Sequence, residues 1–279
     1  MPGPRARTLG SRPDVLRVSR DAASRSIAVL LAYDGGAYHG WQVQAEARTV
    51  QGVVAEALRP LTGGSRLVGA SRTDAGVHAL GQVASFDAPG RLPPPAIQAA
   101  LNATLPRDIR VLGTREVPEG FDARRSARLK RYGYLIETAP VSSPFHRGYV
   151  WPLPRALDAG AMRRALAVVR GAHDFSAFQA SAGRDRHPVC TIRAARLVQR
   201  GSRLGVILSA DAFLHHMVRN IVGTVVEVGA GRRSPEWVEE VLAGRDRRLA
   251  GPTAPPQGLV LLGVRYPFPL FPGGGRIRR

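Results

Sequence analysis

Arg72 and Asp74 are residues whose types and spacing suggest chemistry. They stand two residues apart in the stretch VGASRTDAGVHALGQVASF, residues 68–86, and Gly76 follows closely. A carboxylate beside a guanidinium keeps its negative charge, because the positive charge favours the ionised form. An ionised aspartate can act as a nucleophile or a general base. On spacing alone, the same residues also describe a surface turn with a solvated ion pair.

A second stretch, residues 121–136, is basic and then aromatic, with the sequence FDARRSARLKRYGYLI. If it forms a strand, Lys130, Tyr132 and Tyr134 share one face, because side chains alternate along a strand. Basic groups can hold phosphates while a tyrosine ring stacks on a base. The alternative is a strand whose aromatic side chains face a protein core.

A third stretch, residues 213–223, reads FLHHMVRNIVG and predicts a largely buried helix over 213–228. A buried Arg219 needs an anion, because an unpaired internal charge is very costly. A salt bridge with a purely structural role would also satisfy this requirement. His215 and His216 are possible metal ligands, but neighbouring positions on a helix point apart. We therefore expect them to pack or to contact RNA.

The composition indicates a nucleic-acid-binding globular protein. The chain has 279 residues, 44% of them hydrophobic, and a formal net charge of +19. A strongly basic protein suits a polyanionic partner, and nucleic acid is the first candidate. Aromatic residues make up only 6%, which disfavours single-strand binding along a stacking platform.

Several other classes of protein are excluded by the sequence. No apolar run reaches the length of a membrane span, and the N-terminal residues lack an apolar signal core. We therefore expect a soluble, cytoplasmic protein without membrane contact. Cys190 is the only cysteine, and the histidines show no metal-ligand spacing. We expect neither a disulfide nor a bound metal.

The elements that must position these residues follow an order that repeats. Strands and helices alternate as β-α-β-β-α-β over residues 26–116, and the order recurs over 126–266 with an extra helix. This predicts an α+β fold of two ferredoxin-like halves with mainly antiparallel sheets. The predicted parts are a disordered basic tail (1–25), an N-terminal half with the 70–77 loop (26–118), a C-terminal half (119–267) and a basic tail (268–279).

All three stretches resemble motifs of the bacterial tRNA pseudouridine synthase A family. RTDAGVHA followed by GQVASF is similar to the catalytic motif of that family, and Ser71 stands where glycine is common. KRYGY is similar to its Lys/Arg-x-Tyr-x-Tyr motif, and FLHHMVRN closely matches one of its helices. The resemblance spans residues 26–266 and implies the family fold, two ferredoxin-like halves with the active cleft between them.

The resemblance also implies an activity and its residues. The family isomerises uridine to pseudouridine at positions 38–40 of tRNA, on the 3′ side of the anticodon stem-loop, without a cofactor. It implies Asp74 as the nucleophile, Tyr132 as the ring packed on the target uracil and Arg219 as the arginine approaching the aspartate. Arg72 is placed to fill the vacancy left by a flipped base. A buried guanidinium needs an anion and a catalytic aspartate needs a cation, so we predict that Arg219 reaches Asp74. The implied assembly is a homodimer.

Two questions stay open at the sequence level. The carboxylate of Asp74 can attack ribose C1′, attack uracil C6 or remove a ribose proton. A non-catalytic RNA-binding module of the RRM type is the alternative function, because a ferredoxin-like sheet with Tyr132 and Tyr134 resembles an RRM strand. Against it, Glu137 occupies the place of the last RRM aromatic, and an RRM has no need of Arg72 and Asp74.

Overall fold

The computed structural model describes residues 24–90, 92–180 and 187–271. Within these ranges the chain forms a mixed α+β fold with a mostly antiparallel sheet and five α-helices. None of the helices in these ranges is both long and apolar enough to cross a membrane. The predicted N-terminal tail, residues 1–25, falls outside the described residues except for its last two positions.

The first part of the chain has the predicted β-α-β-β-α-β order. Thr49 caps the first helix, because its Oγ1 accepts a hydrogen bond from the Gly52 N–H at 3.3 Å. Proline at the first position of the second helix leaves no backbone donor unpaired. The elements are β1 (Ser24–Tyr33), α1 (Val50–Thr62), β2 (Val68–Gly69), β3 (His78–Pro89), α2 (Pro94–Thr104) and β4 (Ile109–Val117).

The second part repeats this order with two short strands and one helix added. The elements are β5 (Leu129–Glu137), β6 (Trp151–Pro152), α3 (Ala159–Val168), β7 (Gly171–Asp174), β8 (Val189–Arg200), β9 (Arg203–Ala210), α4 (Met217–Gly229), α5 (Trp237–Gly244) and β10 (Leu259–Arg265). The sequence analysis missed β6 and β7, because strands of two and four residues carry too few positions for an alternating pattern.

One sheet runs through both parts of the chain. Its strand order is β4-β1-β3-β10-β5-β9-β8-β7, with β2 paired to β3 and β6 paired to β5. The last strand makes the junction: β10 runs parallel to β3, with Val260 opposite His78 and Leu261 opposite Ala79. On its other side β10 is antiparallel to β5. The loop that precedes β3, residues 70–77, therefore lies at the boundary between the two parts.

Strand alternation places apolar side chains on both faces of the sheet. Along β1, Ile27, Val29 and Leu31 join the large core beneath the helices, whereas Ala28 and Leu30 belong to a smaller cluster on the opposite face. Both faces of this strand are buried, which explains its continuous apolar sequence.

The segment after β10 covers the smaller cluster. Leu270 is 4% exposed within it, and Arg115 donates hydrogen bonds to the carbonyls of Pro269 and Leu270 at 2.9 Å each. The folded body therefore extends to Phe271, past the predicted start of the C-terminal tail at residue 268. Proline and glycine content suggested a tail here, but Leu270 provides an apolar group that the sheet buries. Residues 272–279 of that tail are outside the described residues.

Candidate active site

The 70–77 loop is held by a buried glutamine on the strand that follows it. Gln82 is fully buried, and its amide binds both backbone groups of Ser71. The Ser71 N–H donates to Gln82 Oε1 at 3.2 Å, and Gln82 Nε2 donates to the Ser71 carbonyl at 2.6 Å. A side-chain amide that satisfies two buried backbone groups fixes the loop three residues before Asp74.

The segment around Gly40 supports the loop from the other side. The Trp41 N–H donates to the Thr73 carbonyl at 3.0 Å, and the Gly76 N–H donates to the Tyr38 carbonyl at 3.2 Å. Gly40 has a φ of +88°, and a Cβ there would lie 2.6 Å from the Thr73 carbonyl oxygen. Only glycine permits this close approach, so Gly40 sets the position of the backbone next to Asp74.

Asp74 and Arg219 form an ion pair across the junction of the two parts. Arg219 Nη1 donates to Asp74 Oδ2 at 3.1 Å, and the side chains are 13% and 16% exposed. The same guanidinium donates through Nε to the Ala254 carbonyl at 2.7 Å, while the Ala254 N–H donates to the Arg219 carbonyl at 3.1 Å. The predicted contact is confirmed, and Arg219 is anchored by a segment between α5 and β10.

The residue after Arg219 fixes the start of α4. Asn220 is fully buried, and its Nδ2 donates to the Phe178 carbonyl at 2.8 Å. Its Oδ1 accepts from Thr253 Oγ1 at 2.7 Å and from Arg247 Nη2 at 3.1 Å. This one amide ties three segments together behind the ion pair. The sequence analysis did not select Asn220, because a single asparagine carries no spacing signal.

His215 and His216 both point at the aspartate, contrary to the expectation that their side chains diverge. His215 Nε2 lies 3.8 Å from Asp74 Oδ1, and His216 Nε2 lies 3.6 Å from Asp74 Oδ2. The predicted helix over 213–228 was the source of the error, since α4 begins only at Met217. His216 has a φ of 60°, so the left-handed turn before the helix brings both rings onto one side.

The three side chains have the composition of a metal site. The ligand atoms of Asp74, His215 and His216 all lie within 4.8 Å of one another. Arg219 Nη1, however, already places a permanent positive charge 3.1 Å from the Asp74 carboxylate. A divalent cation would be repelled by that guanidinium. The two imidazole rings therefore lie beside a carboxylate that is already paired with a guanidinium.

Burial controls the protonation of His216. Burial lowers the pKa of its imidazole below the usual value, and the nearby basic groups His215, Arg219 and Arg247 act in the same direction. The carboxylate of Asp74 opposes them, raising the pKa of His216 by a smaller amount than burial lowers it. His216 is therefore neutral at neutral pH.

Tyr132 lies at the border between the core and the cleft. The residue is 4% exposed, and its hydroxyl is 2.9 Å from the Ser71 hydroxyl. Its ring meets Phe213 edge-on at 5.2 Å between centroids. Burial raises the pKa of the phenol above the usual value, so the hydroxyl stays protonated. The alternative of a core-facing ring is borne out, and the ring also lines the cleft that holds Asp74, so stacking on a base stays a prediction.

The cleft above Asp74 has a volume of about 800 Å³ and is lined by both parts of the chain. Arg72 is an exposed residue of its wall. The lining also includes Arg124, Lys130 and Phe213. Among the described residues that line the cleft, Asp74 is the only acid. An anionic ligand of nucleotide size therefore meets a cleft whose other charged groups are basic.

Comparison with known proteins identifies the family. The sequence profile of a family described as tRNA pseudouridine synthase matches residues 29–124 and 165–267. The chain is 46% identical over 253 residues to the tRNA pseudouridine synthase A of Myxococcus xanthus, covering 89% of this chain and 96% of that protein. It is 47% identical over 243 residues to the tRNA pseudouridine synthase A of Moorella thermoacetica, covering 86% and 99% of the two chains.

The mixed α+β fold, the basic cleft and these matches define a class of enzyme. It is an RNA-modifying isomerase, a tRNA pseudouridine synthase. The chain belongs to the tRNA pseudouridine synthase A family. The predictions of the family and of an enzyme are confirmed, and the alternative of a non-catalytic RNA-binding module is set aside.

Proposed function

We propose that the protein converts uridine to pseudouridine at positions 38–40 of tRNA, on the 3′ side of the anticodon stem-loop, with Asp74 as the nucleophile. One observation carries the assignment of the residue: Asp74 is the only carboxylate among the described residues lining the cleft. Arg219 donates a charge-assisted hydrogen bond to it, which fixes the position of the carboxylate.

The reaction is an isomerisation that requires no oxidant and no phosphate donor. The bond between uracil N1 and ribose C1′ breaks, and a bond between uracil C5 and the same C1′ forms. C5 loses its hydrogen as a proton, and N1 gains a proton. Asp74 can begin this sequence by attacking C1′, by attacking C6 or by removing a ribose proton. Each route requires an ionised carboxylate at the target nucleotide.

Two further residues of the cleft handle the target base. A uridine in a stem or loop must leave its stack to reach a carboxylate in a cleft. Tyr132 packs its ring on the extruded uracil, supported by its position beside Asp74 and its contact with Phe213. Arg72, exposed on the cleft wall, fills the vacancy in the RNA. Arg124 and Lys130 add positive charge for the phosphates.

The same proposal covers two ferredoxin-like halves, a homodimer and a cytoplasmic location. Strand order supports two ferredoxin-like halves: β4-β1-β3 with β2 beside β3, and β10-β5-β9-β8. The homodimer and the cytoplasmic location are supported by the family resemblance. Light scattering across a concentration series tests the dimer, because a monomer at every concentration contradicts it.

A tritium-release assay tests the site of modification. Loss of tritium from tRNA labelled at uridine C5 reports isomerisation directly, since C5 gives up its hydrogen only in that reaction. We expect release from a tRNA whose only labelled uridines lie at positions 38–40. In a tRNA labelled at every uridine, replacing the uridines at 38–40 by cytidine should abolish release. Equal release from a tRNA labelled only in another stem would contradict the anticodon assignment.

A further inference from the structure

The carboxylate of Asp74 faces three basic side chains, of which only one is permanently charged. Arg219 carries its charge at every working pH, with Nη1 at 3.1 Å from Oδ2. His215 Nε2 is 3.8 Å from Oδ1, and His216 Nε2 is 3.6 Å from Oδ2. The carboxylate therefore lies beside one permanent cation and two imidazole rings.

The backbone at His216 is arranged to bring its ring to the carboxylate. With φ 60° and ψ 1°, this residue occupies the left-handed region immediately before α4. Residues with a Cβ rarely adopt that conformation, and histidine, asparagine and aspartate are the usual exceptions. Its side chain is 28% exposed, compared with 40% for His215. His216 is thus the more enclosed of the two and the closer to Asp74.

Four charged or titratable groups act on His216. They are Asp74 on the 70–77 loop, His215 on its own turn, Arg219 on α4 and Arg247 after α5. Burial and the three basic groups lower the pKa of His216, and Asp74 raises it. Because the pKa of His216 is lowered, the ring is neutral at neutral pH and gains its proton only below the usual pKa of histidine.

We propose that His216 is a positioning residue for Asp74. As a neutral ring it adds no charge beside the Asp74–Arg219 pair, and its protonation adds a further cation that draws the carboxylate away from the substrate. A carboxylate held between two cations donates electrons less readily, so turnover falls as His216 gains its proton. This inference rests on the proposed role of Asp74 as the nucleophile.

The test is the pH dependence of a single turnover. Enzyme in saturating excess over tRNA labelled with tritium at uridine C5 separates chemistry from tRNA binding. The variant is His216→Asn, because asparagine tolerates the left-handed backbone and keeps an N–H donor but does not titrate. The control is His173→Asn on β7, a strand at the edge of the sheet whose histidine does not line the cleft.

The expected result is a change in the shape of the profile. The wild-type rate should fall by more than about threefold between neutral pH and pH 5, because His216 gains its proton in that interval. His173→Asn should follow the wild type. His216→Asn should lose most of this acid limb, and its rate at pH 5 should lie within about threefold of its rate at neutral pH.

Three outcomes would overturn the inference. The first is a His216→Asn profile with the wild-type midpoint, even if its rate is uniformly lower, because that indicates a structural role alone. The second is an acid limb that disappears in His215→Asn and persists in His216→Asn. The third is a rise in wild-type turnover as the pH falls. Asp74→Asn separates the two proposals, because activity in that variant defeats the proposed function itself.

Discussion

Arg219 on α4 donates a hydrogen bond to Asp74 on the loop before β3, with 3.1 Å between Nη1 and Oδ2. The two residues are 145 positions apart in the chain. They meet because β10 joins β3 to β5 in one sheet and because the Ala254 carbonyl anchors the guanidinium. The surroundings of the Asp74 carboxylate therefore depend on the folding of both parts of the chain.

Removal of the guanidinium should damage both activity and stability. Arg219→Ala leaves a mostly buried carboxylate without its cation, and we expect a loss of up to about 3 kcal/mol in the free energy of unfolding. Turnover should fall at least about a hundredfold, in the range of a lost electrostatic contact in an active site. Urea unfolding and single-turnover tritium release measure the two effects.

Arg219→Lys is the matched control for that change. Lysine restores the charge but has one nitrogen in place of a planar fork, so it cannot reach Asp74 and the Ala254 carbonyl with separate nitrogens. We expect partial recovery of stability and activity. Wild-type behaviour of Arg219→Ala would show that the ion pair is dispensable.

The ring of Tyr132 should matter more than its hydroxyl. Tyr132→Phe keeps the ring and loses the contact with the Ser71 hydroxyl, at a cost of about 0.5–1.5 kcal/mol in stability. Tyr132→Leu also loses the ring and its edge contact with Phe213. We expect the Phe variant to retain substantial turnover and the Leu variant to lose much more, although both fold. Equal turnover in the two variants would argue against stacking on the uracil.

Arg72 should affect catalysis without affecting folding. It is exposed and makes no hydrogen bond or ion pair with the described residues, so Arg72→Ala should leave the free energy of unfolding within about 0.5 kcal/mol of wild type. Single turnover should slow because a flipped base is no longer replaced. Arg193→Ala controls for the loss of one positive charge, because Arg193 is exposed on β8 and lies outside the cleft. The same small slowing in both variants would reduce Arg72 to a general phosphate contact.

Gly40 should tolerate no side chain. Gly40→Ala combines a φ of +88° with a Cβ 2.6 Å from the Thr73 carbonyl oxygen, so the Asp74 loop must shift. Gly63→Ala is the matched control, because Gly63 has a φ of +70° with nothing within 4 Å of the added Cβ. Gly63→Ala should lose about 1–2 kcal/mol in the free energy of unfolding, because a residue with a Cβ is strained in the left-handed region. Gly40→Ala should lose more. Only Gly40→Ala should also lose turnover. Equal effects of the two changes would show that the contact with Thr73 is unimportant.

Local patterns in the sequence were sufficient to predict the order of the elements. Helix caps and apolar alternation act over a few residues, so the β-α-β-β-α-β order and the cap at Thr49 followed from the chain. The contact between Arg219 and Asp74 was also predictable, since a buried guanidinium and a catalytic carboxylate each need a partner. The parallel pairing of β10 with β3 was not predicted, because it joins residues far apart in sequence.

The site was predicted less completely than the fold. The left-handed backbone at His216 makes the helix begin at Met217, later than predicted, and no sequence pattern around two adjacent histidines indicates such a turn. Burial of Leu270 depends on a sheet face that exists only in the folded protein. In both cases a distant contact decides the structure, and local propensity carries no information about it.

The most direct measurement is tritium release from tRNA labelled at uridine C5, comparing the wild type with Asp74→Asn. The substitution keeps size and shape and removes the negative charge. Affinity for tRNA comes mainly from phosphate contacts, so a filter-binding assay should show nearly unchanged binding. We predict full release by the wild type and none by Asp74→Asn. Sustained release by a purified Asp74→Asn sample, shown by mass spectrometry to contain no deamidated or wild-type protein, would contradict the account.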